Sequence, residues 1–358
     1  HVDVGTVVGK APSVVSADIH SGVSGTVMGI ETVQYPTGGV VQAVVIEPDG
    51  QQTIAANIKK PSVTNYESFI QAVRDCGLVG LGGAGFPTAV KLSPKNLQQV
   101  DTLVINGAEC ESYLTADNRE FLEHSDTILS GIKAVMEYLQ IQKCCIGIER
   151  NKPEAMDLMF SLIKDEPAIK VVPLPSRYPQ GAEKVLIERT VGREVPRGGL
   201  PSDVGVIVLN VTTVSTIGKY LQTGMPLTTK RVTVEGDAVA KPQNVEVIIG
   251  TPLEEVLEFC GGTKVQAAKV ITGGPMMGTA QVSLHFPVLK QNNGLLVLSE
   301  KSAHLPAAQP CIRCGRCISA CPMGLSPVEI ANAYNRKDTH ALDKMMVDLC
   351  IACGTCAY

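Results

Sequence analysis

Apolar and polar positions alternate along residues 1 to about 55, and the alternation breaks at Ser21-Gly22, Ser24-Gly25, Pro36 to Gly39 and Pro48 to Gly50. Successive side chains of a strand point to opposite faces, so this pattern predicts a small all-β unit with turns at those places. Pro61 and the polar stretch to Thr64 read as a linker. Tyr66 to Cys76 then carries helical periodicity, and Gly77 stands where a helix closes in the left-handed conformation. Apolar runs at Thr102 to Asn106, Cys144 to Ile148, Ile169 to Val172 and Val206 to Asn210 have strand length, and Asp126 to Tyr138, Pro153 to Ile163 and Ala182 to Thr190 read as helices between them. Such alternation predicts an α/β sheet. From Arg231 to about Leu298 the texture changes to short strands around one helix, Leu253 to Cys260, with turns at Gly261-Gly262 and Gly273-Gly274-Pro275. A Pro and Ala linker follows at 299–310, and Pro327 to Asn335 and Thr339 to Leu349 read as amphipathic helices. The pattern predicts a multidomain α/β chain with units at residues 1–60, 61–225, 226–300 and 301–358.

A chain of 358 residues is long enough for several cores. Its net charge of −4, with Lys and Arg scattered, gives no basic footprint for nucleic acid. No apolar run approaches the roughly eighteen residues of a membrane span; Val204 to Val211 has only strand length.

Chemistry enters with the cysteines. Seven of the twelve fall in the last 48 residues: Cys311, Cys314, Cys317 and Cys321, then Cys350, Cys353 and Cys356. The segment CIRCGRCISACP, Cys311 to Pro322, matches the ferredoxin run C-x2-C-x2-C-x3-C-P, in which three thiolates hold one cubane and the fourth reaches a second. Cys321 with Cys350, Cys353 and Cys356 completes one 4Fe-4S cluster. Cys311, Cys314 and Cys317 await a fourth ligand expected four residues after Cys356, beyond Tyr358; with His1 at the other end, both ends read as trimmed. Zinc ribbons use separated C-x2-C pairs rather than triplets, and disulfide frameworks suit small secreted chains. Clustered thiolates ask for a reducing compartment, a cytoplasm. Cys76, Cys144, Cys145 and Cys260 read as small core residues.

Gly77 to Thr88, GLVGLGGAGFPT, contains Gly80, Gly82 and Gly85 in a G-x-G-x-x-G arrangement. A dinucleotide fingerprint needs a strand before these glycines and a helix after them, whereas here a helix precedes and Pro87 interrupts. The chemistry survives the loss of the label: without Cβ atoms, consecutive backbone N–H groups approach an anion closely, and Lys91 adds a cation. A flexible surface loop is the alternative. The strand Thr102 to Asn106 runs into Gly107-Ala108-Glu109-Cys110-Glu111, a polar loop at a strand end, where α/β proteins place ligands. Ser176 to Glu183, SRYPQGAE, is either a second ligand loop at a helix N-terminus, at Gly181, or an ordinary helix entry.

With these residues in hand, the chain resembles the RnfC family, the NADH-facing component of the Rnf electron-transport complex, a membrane ion pump driven by ferredoxin and NAD. Its central part is similar to the flavin subunit of respiratory complex I. The resemblance covers nearly the whole chain and rests on GLGGAGFPT at Gly80 to Thr88, INGAECESYLTADNR at Ile105 to Arg119, SRYPQGAEKVLIE at Ser176 to Glu188, and the cysteine runs. It implies FMN contacts at Gly80, Gly82, Gly83, Lys91, Asn106, Glu109, Tyr178, Gly181, Glu183, Asn210 and Thr213, and NAD contacts at Phe86 and Glu111. Val79 and Leu81 stand where complex I has arginines, Ala182 replaces a glutamate, and Ser112 replaces a proline usual in both families. The resemblance also implies a barrel-sandwich module like lipoyl domains at the N-terminus, without lipoylation because no lysine occupies the usual hairpin. It further implies a soluble-ligand-binding β-grasp (SLBB-like) module near residues 225 to 298 and a helical ferredoxin-like domain with two 4Fe-4S clusters.

The expected cofactors are thus FMN, NAD(H) and two 4Fe-4S clusters, with flavin chemistry converting hydride to single electrons and no side chain serving as a general acid or base. Glu109 and Glu111 either orient the nucleotide or are simply solvated. The expected partners are membrane-embedded and ferredoxin-facing subunits, and ferredoxin indirectly; the expected location is the cytoplasmic face of the cell membrane, as a peripheral protein. Two rival expectations are a cobalamin reductase of propanediol-utilisation type and a non-catalytic iron-sulfur adapter. The sequence weighs against the adapter because both ligand loops are intact.

Overall fold

The computed structural model describes residues 1–34, 39–307 and 309–357. The turn expected at Pro36 to Gly39 lies, as far as Gly38, outside the described residues, as does residue 308 of the linker expected at 299–310. In the first unit β1 (Val7–Gly9) pairs with β2 (Ile19–His20), and β3 (Gly25–Gln34) forms a long antiparallel hairpin with β4 (Val40–Pro48). Bridges from Val2 to Gly25 and Val4 to Ile54 draw the unit together.

The second unit opens with α1 (Tyr66–Asp75). Asn65 starts it by accepting from Ser68 N at 2.9 Å, while Ser68 Oγ accepts from Asn65 N at 3.1 Å. Gly77 ends the turn with φ +65°. The chain continues through α2 (Thr88–Lys91), β5 (Thr102–Gly107), α3 (Ala116–Glu123), α4 (Ser125–Leu139), β6 (Lys143–Glu149), α5 (Pro153–Leu162), β7 (Ile169–Leu174), α6 (Glu183–Val191), β8 (Val206–Asn210) and α7 (Val211–Thr223). All four strands are parallel, in the order β7-β6-β5-β8. Because the first strand lies between the second and the fourth, the winding reverses at β5. A crevice opens there, between the C-terminal ends of β5 and β8, where open α/β sheets take ligands. Asn106 and Asn210 face each other in register across it. The sheet therefore has a doubly wound order although the glycine loop precedes its first strand instead of following it. The sequence pattern missed two helices, α3 and α7.

The third unit is a five-stranded sheet of β9 (Thr229–Glu235), β10 (Gln243–Ile248), β11 (Ala267–Thr272), β12 (Thr279–Ala280) and β13 (Gly294–Ser299), ordered β10-β9-β13-β11-β12, with α8 (Leu253–Phe259) over one face. Val232, Val234, Val256, Leu257, Leu295 and Val297 make its core. The C-terminal unit is helical: α9 (Glu300–Ala303) lies within the expected linker, then come α10 (Arg316–Ala320), α11 (Pro327–Asn335) and α12 (Thr339–Lys344). The helix expected from Thr339 to Leu349 is shorter. It stops at Lys344, Met346 turns to φ +53°, and a single tight turn follows at Val347–Leu349.

Buried Lys290 joins three of these units. Its ammonium donates to Asp18 O in the first and to Gly77 O at the end of α1, each at 2.5 Å. Burial lowers its pKa from 10.5 to about 8. Between those values the unfolded chain binds a proton that the folded chain has lost, so stability rises with pH across this window. The wild type is expected to gain resistance to denaturant from pH 8 towards 10, and Lys290→Met to lose most of that slope; parallel urea midpoints check it.

Candidate functional site

A cavity of about 1510 Å³ lies over the crevice between β5 and β8. The glycine loop forms one wall, the strand ends Asn106 and Asn210 the floor, Tyr178 to Glu183 a second wall, and residues of the third unit a third. All thirteen residues expected at flavin or nucleotide line it: Gly80, Gly82, Gly83, Lys91, Asn106, Glu109, Tyr178, Gly181, Glu183, Asn210 and Thr213 on the flavin side, Phe86 and Glu111 on the nucleotide side. Ile351 and Cys353 reach it from the C-terminal unit.

The loop is held from behind and bare in front. Gly80 N donates to Phe86 O at 2.8 Å, Leu81 N to Thr213 Oγ1 at 2.9 Å, and Leu81 O accepts from Lys230 Nζ at 2.9 Å. Gly82, Gly83 and Ala84, by contrast, donate to no acceptor among the described residues. Gly83 has φ +118°, with open space where a Cβ would stand. Three successive unspent amides suit an anion such as a phosphate, so the residues present fit a flavin mononucleotide. Lys91 and Glu183 pair at 2.5 Å at the side of the cavity.

The strand-end loop and the SRYPQGAE segment are laced together. Asn106 Nδ2 donates to Gly181 O at 2.9 Å, and Gly181 N to Cys110 Sγ at 3.2 Å. A Cβ on Gly181 would lie 2.6 Å from Ala108 O, so only glycine permits this approach. Burial pushes the Cys110 thiol up to about 11, keeping it protonated. The two glutamates are engaged rather than solvated. Glu109 accepts from Asp117 N and Asn118 N at 2.8 and 3.2 Å, capping α3 from outside; burial, with Asp117 beside it, raises its pKa to about 8. Glu111 accepts from Met276 N and Met277 N, both at 2.9 Å.

Beneath the floor lies a buried polar network that the sequence pattern did not reveal. Asp117 accepts from Asn210 Nδ2 at 2.7 Å and Thr212 Oγ1 at 2.6 Å. Asn210 Oδ1 in turn accepts from Thr212 N and Thr213 N, capping α7. Lys230, 3% exposed, lies in the field of Asp117, Glu120 and Glu109. Burial lowers its pKa and raises that of Asp117, and each charge opposes the shift of the other. One signal was present in the sequence: Lys230 shares the inward register of β9 with Val232 and Val234, a position that calls for an apolar residue.

The cysteines divide in space. Tyr178 Oη donates to Cys353 O at 2.6 Å, fixing the second cysteine loop against the cavity, whereas Cys311 and Cys314 are exposed. Cys356, its thiol raised by burial, also feels Cys321, Cys350 and Cys353, so those four lie near one another. Among the described residues no three His, Cys, Asp or Glu gather as around a single metal ion; a cubane, with thiolates at separate corners, does not require that.

Comparison with known proteins gives each unit a counterpart. Residues 1–51 match the RnfC barrel sandwich hybrid domain, 73–219 the Nuo51 FMN-binding domain, 231–280 the SLBB domain and 306–358 the 4Fe-4S dicluster domain. The chain is 42% identical over 344 residues to the RnfC component of a proton-translocating ferredoxin:NAD(+) oxidoreductase complex from Clostridium ljungdahlii, covering 95% of this chain and 74% of that protein. The chain belongs to the RnfC family of ion-translocating ferredoxin:NAD(+) oxidoreductase complexes. Another member, from the Na(+)-translocating complex of Acetobacterium woodii, is 41% identical over 338 residues, or 94% of this chain and 76% of that one. A chain in the crystal structure of NAD+-reducing [NiFe]-hydrogenase in the H2-reduced state shares the fold, with a TM-score of 0.59 at 19% identity over 82% of this chain and 60% of that chain. Consistent with family members acting inside a larger assembly, this chain has exposed cysteines at one end. No helix among its described residues is long and apolar enough to cross a membrane.

Proposed function

We propose that this chain exchanges hydride with NAD(H) through FMN and single electrons with two 4Fe-4S clusters, as the RnfC component of an ion-translocating ferredoxin:NAD(+) oxidoreductase complex. One observation supports this above the others: a single cavity has unspent glycine-loop amides on one side and the Cys353 loop on the other. Bound there, FMN supplies the conversion between a two-electron hydride and one-electron iron chemistry. The protein supplies placement. Gly82, Gly83 and Ala84 hold the phosphate by their amides and Lys91 adds positive charge. Asn106, Gly181, Glu183, Tyr178, Asn210 and Thr213 shape the rest of the flavin site, Glu109 fixing α3 behind it. Phe86, 44% exposed, and Glu111 face the nucleotide.

Cys321, Cys350, Cys353 and Cys356 hold the flavin-side cluster. Cys311, Cys314 and Cys317 hold three corners of an outer one, whose exposed position suits transfer to another subunit. The protein is peripheral, at the cytoplasmic face of the membrane, and its partners are membrane-embedded and ferredoxin-facing subunits. Anaerobic preparation, flavin identification, iron analysis and electron paramagnetic resonance test this. One FMN and iron for two clusters are expected, with both cluster signals appearing on addition of NADH. A colourless or zinc-only protein would overturn the proposal.

A further inference from the structure

Between β11 and β12 the chain runs Gly273-Gly274-Pro275-Met276-Met277-Gly278, a hairpin that leaves the sheet of the third unit and reaches the cavity of the second. Its contacts there are specific. The amides of Met276 and Met277 each donate to a different oxygen of the Glu111 carboxylate, at 2.9 Å. The carboxylate lies against bare backbone: a Cβ on Gly274 would sit 2.4 Å from both Cδ and Oε2 of Glu111. On its other side the hairpin meets the second cysteine loop, Met276 O standing 3.4 Å from where a Cβ on Gly354 would be. One short segment therefore touches both the acidic side chain at the nucleotide side and the loop that carries Cys353.

A carboxylate offers about four lone-pair positions. Two are taken by hairpin amides, one on each oxygen, which fixes the plane of the group and leaves its remaining acceptor positions directed by the protein. N–H and O–H donors, such as the carboxamide and ribose hydroxyls of a nicotinamide nucleotide, match what remains.

We propose that the Gly273–Gly278 hairpin is part of the nucleotide site, a positioning element that holds Glu111 ready to accept from the dinucleotide and thereby sets its affinity. This rests on the reading that NAD(H) enters this cavity. Gly274, Met276 and Met277 act through Glu111; they do not touch the reacting atoms. The glycine at 274 is required by the close approach of the carboxylate, and Pro275 stiffens the turn that presents the two amides.

The test uses the full chain with flavin and clusters in place and measures NADH oxidation with an artificial one-electron acceptor. Gly274→Ala displaces the carboxylate and is expected to raise KM for NADH about tenfold, the worth of a hydrogen bond to a charged group, with flavin and iron content as in the wild type. Glu111→Ala is expected to raise KM by a similar factor. Adding Gly274→Ala to it is expected to change nothing more, because the methyl then has room and no carboxylate is left to displace. Pro275→Gly loosens the hairpin without adding bulk and serves where Gly274→Ala fails to fold: a rise in KM that vanishes in the Glu111→Ala background is expected. An unchanged KM in both hairpin variants, or the same fold-loss with and without Glu111, would overturn the inference while leaving the function standing. A wild type that retains FMN yet never oxidises NADH would overturn the underlying reading as well.

Discussion

Replacing Gly82 with valine is expected to strip the protein of flavin while leaving its iron in place. Any Cβ at position 82 meets the Asn210 side chain, at 3.0 Å from Nδ2, 3.2 Å from Cγ and 3.3 Å from Cβ. Asn210 cannot retreat. Its Oδ1 caps α7 through Thr212 N and Thr213 N, and its Nδ2 is spent on Asp117. A methyl group asks the neighbour to give by a few tenths of an ångström, whereas the branched carbons of valine displace the loop itself and swing the Gly82–Ala84 amides out of line. Overpacking of this kind costs about 1–3 kcal/mol, up to about 100-fold in flavin affinity. Flavin fluorescence titration and iron analysis on the same sample check it, with Gly82→Ala expected to be milder. Loss of flavin and iron in parallel would instead mean that the chain no longer folds.

The second large effect is on stability. Asp117→Ala removes the acceptor for Asn210 and Thr212 and takes a compensating charge away from buried Lys230. A buried ion deprived of its counter-charge is expensive, and a loss of about 3 kcal/mol is expected. Asp117→Asn keeps an acceptor and is expected to cost less. Urea unfolding of the two variants side by side distinguishes charge from hydrogen bonding: equal losses would mean that Glu120 and Glu109 already balance the lysine and that Asp117 matters only as an acceptor. Because Asp117 also anchors Asn210, the alanine variant is expected to hold flavin more weakly, which ties the two predictions together.

What the sequence made legible, and what it hid, follows from where each residue's partners lie. The strand Val206 to Asn210 was legible to the residue, since a parallel strand buried on both faces is an unbroken apolar run. Helix α7 begins at the next residue and was not, because Val211-Thr212-Thr213-Val214 is β-branched and reads as more strand. Here the cap at Asn210 and packing decide: a Cβ on Gly218 would lie 2.2 Å from Thr127 O, so α7 crosses α4 backbone against backbone. Helix α3 was hidden because Asp117 and Glu120, which pattern reading assigns to solvent, are buried in the network with Lys230. The residues bordering the cavity were legible where they follow local logic, glycines in a loop and polar groups at strand ends. The hairpin at Gly273–Gly278, the clamp from Lys230 to Leu81 and the meeting of Tyr178 with Cys353 were not. Each joins units far apart in the chain, and no periodicity records which surfaces will dock.

The cavity has one wall that is not like the others. Ile351 and Cys353 close it from a loop whose shape depends on the iron it is built to carry, and the Tyr178 hydroxyl grips that loop by a backbone oxygen. Air is therefore doubly harmful to this protein. Oxidative decay of the inner cubane severs the outgoing electron path and, in the same event, slackens the enclosure around the prosthetic ring, letting dioxygen reach a reduced flavin with nowhere else to send its electrons.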